Sequence, residues 1–487
     1  MATNGELKRG LVTGLSILCG LAVVMAAVSF LEHARGVITF PYELAAGEEL
    51  LLRDALQILS GQAVYTDVNE FPFLVSNYPP LFALLSALLI PMVGVSLTAT
   101  RAIGSLSTLL CACLIGAIIH QECRAKVPSA LCGGAFLGSI FIHQWGAWGR
   151  VDFTALLFSL AGVWAVLRWP GWRGACMAAL YCLFSLYTKQ TQLAAPAAIL
   201  VWLIWRREGR RMVVFVSVLG GIGALLFVLL NSWTSGEFFR QLVVYNALPY
   251  SVRALLGFWR AFVVTHGLVV SVALMCGIAC LRHKDNLLPS LYLVISIVFT
   301  LFVGRAGASS NYFLEPIAAS LVVYGTCWGH LVRERRYTAI LLPLGLVAQL
   351  VWFRAFPLTP LRAYYEPLPS FGYTPQAADR LSCERIDGYV TQEQGPILTE
   401  GGGFALKNGK ELVASPWLLS ALADTGLVET GLGRLEDAIC ERSFSLVILT
   451  WQSYPPRILN AVWANYDRVD TIDCVFTYEI FLPKEEL

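Results

Sequence analysis

The chain has 487 residues, of which 56% are hydrophobic and 14% charged, with a mean hydropathy of +0.63. So much apolar surface exceeds what a soluble interior can bury, which excludes an ordinary globular protein. A net charge of +2 without any basic block excludes a nucleic-acid partner.

Apolar runs of about 17–25 residues, long enough to cross a bilayer of about 30 Å, recur between residues 11 and 353. Eleven are expected to span: 11–31, 100–119, 129–148, 153–168, 174–188, 192–205, 212–231, 261–281, 287–304, 314–332 and 338–355. A twelfth apolar stretch, 81–95, is short, follows Pro79-Pro80 and contains Pro91. Loop charge decides its status. With eleven spans and a cytoplasmic N-terminus, Lys8/Arg9, Arg124/Lys126, Arg168/Arg173, Arg206/Arg207/Arg210/Arg211, Arg282/Lys284 and Arg333/Arg335/Arg336 all face inward. A twelfth span would send five of these six groups outside. Residues 81–95 therefore read as a juxtamembrane or re-entrant helix. The first span, preceded by Lys8-Arg9 and followed by Ala26-Ala27, reads as a retained anchor rather than a cleaved signal.

The first outer loop, 32–98, is long for a mere connection, which marks it as functional. Within it Glu48 and Glu49 open a helix carrying the apolar stripe Leu51, Leu52, Ala55, Leu56 and Leu59. Carboxylates are favoured at a helix start by its dipole, so spacing alone leaves their role open. Arg150 and Asp152 fall in the short outer turn after the third span, either locking two helices or facing a cavity. Lys189, between the fifth and sixth spans, suits headgroup snorkelling or a site. Arg305 and Asn311-Tyr312-Phe313-Leu314-Glu315 follow on the same face, with Glu315 one turn inside a span. Carboxylates and cations at this boundary suit a reaction between a lipid-borne electrophile and a water-borne nucleophile. A carboxylate can accept the nucleophile's proton, and Arg or Lys can stabilise a departing phosphate.

From residue 356 charge, Pro and Gly return. A small α/β extracytoplasmic domain is expected there, beside a catalytic membrane domain over 1–355. Its strands are expected at 396–399, 446–450 and 474–477, its helices at 416–425 and 433–443. Ten of the thirteen cysteines sit in or beside apolar spans, and none forms a C-x-x-C pair. Cys383, Cys440 and Cys474 lie in the tail, where one disulfide can form; spacing does not select the pair.

The ordered set Gly47-Glu48, Gly61-Gln62-Ala63-Val64-Tyr65-Thr66-Asp67, Tyr78-Pro79-Pro80-Leu81, Gly149-Arg150-Val151-Asp152, Thr188-Lys189-Gln190-Thr191 and Asn311-Tyr312-Phe313-Leu314-Glu315 resembles the GT-C superfamily of membrane glycosyltransferases. The likeness is nearest the protein O-mannosyltransferase and aminoarabinose transferase branches. It spans residues 10–355 and implies an all-α polytopic membrane fold. It also implies inverting transfer of a sugar from a polyprenyl-phosphate donor to an acceptor glycan, lipid or protein. Glu48 matches the place of the catalytic base, Glu49 is the next candidate, and Asp152 matches the second acidic residue. Arg150, Lys189 and Arg305 would bind the donor phosphate; Asn311, Tyr312 and Glu315 would contact sugar or acceptor. The resemblance leaves a divalent metal open. The absence of any Asn-x-Ser/Thr sequon favours a bacterial plasma membrane, and the Lys484-Glu485-Glu486-Leu487 terminus reads as chance rather than a retrieval signal. The competing expectation is a transporter or lipid flippase, but neither an internal repeat nor midplane charges are evident.

Overall fold

The structure, a computed structural model, describes residues 4–283, 287–356 and 372–485. Residues 357–371 of the expected tail and the last two residues of the terminus lie outside these.

All eleven expected spans are helical over most of their length, and their ends fall where the sequence supplies turns. α1 (Asn4–Ile38) leads into a loop holding α2 (Glu48–Leu59) and α3 (Leu81–Val93). Then follow α4 (Thr98–Cys123), α5 (Lys126–Ala135), α6 (Ile140–Trp145), α7 (Asp152–Arg168), α8 (Gly171–Thr188) and α9 (Ala194–Trp205). α10 (Gly209–Val216) runs through a widened turn at Ser217–Ile222 into α11 (Gly223–Trp233), and the short α12 (Glu237–Phe239) follows. α13 (Val252–His283), α14 (Leu287–Phe299), α15 (Leu314–Arg333) and α16 (Leu341–Phe353) complete the helical part.

Among the described residues, five helical stretches are long and apolar enough to cross a membrane: Thr13–Ile38, Thr98–Cys123, Gly209–Trp233, Val252–Leu281 and Leu287–Gly304. The count of eleven crossings rests on loop charge rather than on helix length. The expected span 129–148 is broken, because a 3₁₀ turn at Phe136–Gly138 gives way to extended Ser139 before α6. α3 spans 13 residues, about 20 Å of helix, a length that does not set it apart from α9 and α16. α7 packs between α4 and α8, and Gly104 of α4 lies so close to the Trp148 carbonyl that a side chain there would collide with it.

The tail opens with α17 (Ala377–Gln392) and β1 (Ile397–Thr399), followed by α18 (Gly402–Lys407), α19 (Pro416–Leu422) and α20 (Glu429–Cys440). It closes with β2 (Leu446–Leu449), α21 (Pro456–Asn465), β3 (Tyr466–Asp473) and β4 (Thr477–Pro483). The sheet order is β1-β2-β4-β3, with β1 and β2 parallel and the other two pairings antiparallel. The expected strand at 474–477 is mostly the turn between β3 and β4, and the expected helix at 433–443 starts earlier, at Glu429. α17, α18 and α21 were not anticipated; each is short, or polar enough to lack a clear apolar period. Cys383 of α17 is joined to Cys474 in the β3–β4 turn, leaving Cys440 exposed and unpaired in a disulfide.

The tail grips the first loop directly. Phe73 N–H donates to the Val413 carbonyl at 2.8 Å, Ser415 N–H returns a bond to the Phe73 carbonyl at 3.1 Å, and Ser415 Oγ accepts from Val75 N–H at 3.0 Å. Val68, Phe73 and Val75 join Leu418, Leu419 and Leu432 in one buried cluster. Opening the disulfide by reductant, or by Cys383→Ser, should lower tail stability by about 2–4 kcal/mol. Thermal unfolding in detergent, with and without reductant, checks this; an unchanged midpoint contradicts it.

Candidate functional site

The site begins at a turn that reverses the chain into α2. Gly47 sits there at φ +88°, and a Cβ at this position would strike the Arg150 guanidinium. The next two residues, both glutamates, point to different surroundings.

Glu48 turns inward and is fully buried. Its Oε1 accepts from Arg101 Nε at 2.9 Å and Gly149 N–H at 2.7 Å; its Oε2 accepts from Arg101 Nη2 at 2.6 Å, Leu44 N–H at 3.0 Å and Ala45 N–H at 3.3 Å. Arg101 gives its remaining N–H groups to the carbonyls of Val37, Phe40 and Tyr42. Burial pushes the Glu48 carboxyl up. The charge and hydrogen bonds of Arg101, with the Gly149 and Leu44 amides, outweigh it and hold the group below the usual carboxylate range.

Glu49 turns the other way, into a cavity of about 460 Å³ between the helical part and the tail. Its Oε2 accepts from Gly47 N–H at 2.9 Å. Burial raises its carboxyl above the ordinary range, against the opposing pull of a hydrogen bond from Glu43 and the charge of Arg150. Arg150 and Arg305 line the same cavity. Arg150 donates to the Ala46 carbonyl at 2.6 Å and the Tyr78 hydroxyl at 3.0 Å. Arg305 donates to the Asn246 carbonyl at 3.0 Å and the Tyr312 hydroxyl at 3.2 Å, both neutral acceptors, and its buried Nε has no hydrogen-bond partner. The tail supplies Trp417, Trp451 and Glu400 to the opposite wall. Glu400 accepts from the backbone N–H groups of Thr450, Trp451, Gln452 and Ser453 at 2.7, 2.8, 2.9 and 2.5 Å, which holds the Trp451 loop in place.

A second cluster adjoins the first. Asp152 opens α7, and its Oδ1 accepts from Lys189 Nζ at 2.6 Å and Asn311 Nδ2 at 2.8 Å. Its Oδ2 is buried without a hydrogen-bond partner. Lys189 Nζ lies 4.9 Å from the Tyr312 ring centroid, and Glu315 Oε1 accepts from the Tyr292 hydroxyl at 2.9 Å. Asp152, Lys189, Gln192, Asn311, Tyr312 and Glu315 surround a small void of about 20 Å³. Tyr312 joins the two clusters, with its hydroxyl on Arg305 and its ring face on Lys189.

The expected site residues thus divide three ways. Glu49, Arg150 and Arg305 line the large cavity; Asp152, Lys189, Asn311, Tyr312 and Glu315 line the small void beside it; Glu48 lines neither. Arg101 was overlooked, though a lone arginine entering an apolar span is a signal in itself. Glu400, Trp417 and Trp451 carry no signal in the sequence because their neighbours lie far away along the chain. Among the described residues no group of three or more His, Cys, Asp or Glu could hold a metal ion.

No family model matches the chain, and no curated protein does. Solved structures do. ArnT from Cupriavidus metallidurans bound to undecaprenyl phosphate superposes with a TM-score of 0.62 at 12% identity, covering 94% of this chain and 97% of that one. The Archaeoglobus fulgidus oligosaccharyltransferase tethered to an acceptor peptide superposes with a TM-score of 0.55 at 12% identity, covering 96% and 74%. The archaeal oligosaccharyltransferase AglB from Archaeoglobus fulgidus, in complex with an inhibitory peptide and a dolichol-phosphate, gives 0.51 at 12% identity, covering 96% and 74%. These are GT-C superfamily glycosyltransferases, and the chain shares their fold.

Glu48→Gln removes the countercharge of Arg101 in a dry interior, and should destabilise the protein by about 3–5 kcal/mol. Glu49→Gln, at the cavity wall, should leave the unfolding midpoint close to that of the unsubstituted protein. Thermal unfolding of the two variants side by side checks this; equal midpoints would count against the structural role of Glu48.

Proposed function

We propose that the chain transfers a sugar from a polyprenyl-phosphate-linked donor to an acceptor hydroxyl at the extracytoplasmic face of a membrane, with inversion, and that Glu49 is the general base. The observation that carries this is Glu49 with two arginines, Arg150 and Arg305, lining a single cavity. The lipid phosphates bound by ArnT and AglB support the donor class.

The chemistry follows from what each side chain has left to give. The five donors on Glu48 occupy its oxygens, so the acceptor's proton goes to Glu49, the neighbouring carboxylate that faces the cavity. As that O–H bond breaks, the acceptor oxygen attacks the anomeric carbon and the bond to the phosphate oxygen breaks on the opposite face. Arg305 keeps its full charge for the departing phosphate, because its hydrogen bonds go to neutral oxygens. Arg150 adds to the same field. Lys189, neutralised by Asp152, acts with Asn311 and Glu315 in holding the sugar end. The topology proposed is that of the loop charges, with eleven crossings over residues 1–355. The tail, over 356–487, lies outside, where its disulfide persists. A bacterial plasma membrane is the compartment, and the acceptor is a glycan, lipid or protein.

The test is transfer by the purified protein from radiolabelled undecaprenyl-phosphate hexoses and pentoses. Glu49→Gln should lose transfer by roughly 10²–10⁴-fold, the range of a general base, and Asp152→Asn should lose most of it. Full transfer in Glu49→Gln would overturn the assignment. Because burial raises the Glu49 carboxyl, the rate should climb with pH through a limb above the ordinary carboxylate range. A rate that stays flat down through that range would contradict a base in this position.

A further inference from the structure

The loop that carries Glu49 holds another acidic side chain, Glu43, which the chemistry above does not use. Glu43 is 1% exposed, and neither of its carboxyl oxygens meets a hydrogen-bond donor with good geometry among the described residues. An ionised carboxylate cannot be kept in such a place without donors. An un-ionised carboxyl can, provided its own O–H finds an acceptor. Its neighbour is Glu49: the adjacent glycines Gly402 and Gly403 of the tail lie one against the Glu49 side chain and the other against Glu43, and the charge of each carboxyl acts on the other.

We propose that Glu43 is a positioning residue for the transfer: an un-ionised carboxyl whose O–H donates to Glu49, keeping that carboxylate charged and aimed into the cavity. This rests on Glu49 being the base. The acceptor's proton goes to Glu49 and leaves with the product through the cavity, while Glu43 keeps its own proton throughout.

The packing around the pair fits this role. Gly402 lies so close that a Cβ there would stand 2.7 Å from Glu49 Cγ, and one at Gly403 would stand 3.8 Å from Glu43 Oε2. The tail thus packs glycine backbone against both side chains, so tightly at Gly402 that a Cβ there would collide with Glu49. Tyr42 stacks on Phe404 at 5.0 Å between ring centroids, and Phe404 meets Tyr478 edge-on at 5.4 Å. The charged and titratable groups facing the pair are Glu48, already neutralised by Arg101, Arg150 on the Glu49 side, and the buried Tyr478 phenol from the tail. Burial, and then the charges of Glu49 and Glu48, push Glu43 well above the ordinary carboxylate range, against the Gly403 amide.

Two measurements test the proposal. Infrared difference spectra at neutral pH should show the carbonyl band of an un-ionised carboxyl in the unsubstituted protein that Glu43→Gln removes. Transfer from whichever radiolabelled undecaprenyl-phosphate sugar the protein consumes gives the second. Glu43→Ala, without the donor, should move the acid limb of the rate up by about one pH unit, and Glu43→Gln, whose amide still donates, should restore it. Identical infrared spectra for the unsubstituted protein and Glu43→Gln would overturn the proposal, even if Glu43→Ala fails to fold. So would an unmoved limb in folded Glu43→Ala, or a loss in Glu43→Gln as deep as in Glu49→Gln. Full transfer in Glu49→Gln instead sinks the base assignment, and the infrared band in that variant still reports whether Glu43 holds a proton.

Discussion

A single buried ion pair organises the end of this molecule that holds the two cavities. Arg101 enters at the start of α4 and reaches the carbonyls that end α1 and begin the first loop, while its guanidinium holds Glu48. Glu48 in turn accepts the Gly149 amide, which fixes the turn that presents Arg150 and Asp152. Four stretches of chain therefore meet on two side chains with almost no exposure. Removing charge from water is costly, and it is tolerated here because every polar hydrogen of the guanidinium and every lone-pair direction of the carboxylate finds a partner. The stiffness of this knot lets the neighbouring carboxylate stand at the edge of an open cavity without collapsing onto a cation.

The two clusters beside the knot differ in how their charges are balanced. Lys189 and Asp152 cancel one another around a small void, so that region orients and contacts without a strong field. Arg305 leans on neutral oxygens at the large cavity and leaves a field there. Tyr312 touches both cations, one through its hydroxyl and one through its ring, so a shift of the 311–315 turn changes both clusters together.

Much of this was legible from residue type and position alone. Hydrophobic length announced the apolar helices, and residue type singled out Arg150, Lys189, Arg305 and Glu315, which line the two cavities. Pro79 and Pro80 marked where α3 begins, at Leu81. What escaped the sequence was direction. Glu48 and Glu49 are neighbours with identical side chains, and the turn at Gly47 sends one into the knot and the other into the cavity. No periodicity reports that divergence, because it depends on Arg101, far along the chain. The break at Ser139 escaped for a related reason: an apolar run shows length, but not where the backbone trades helix for a bend. In the tail, the apolar pair Val475 and Phe476 predicts strand where the chain makes the β3–β4 turn. They are apolar because they pack beneath the sheet's end, where Trp451 meets Phe476 edge-on.

The closure of 401–403 and Tyr478 over Glu43 and Glu49 also sets a schedule. The two carboxyls are laid down in the first tenth of the chain, and the last strand of the sheet among its final residues. During synthesis from the N-terminus, the helices can insert and the ion pair can form while those carboxyls still face water. Only when β4 is seated does Tyr478 stand beside them. A chain stopped before β4 would therefore carry the loop glutamates without Tyr478 beside them.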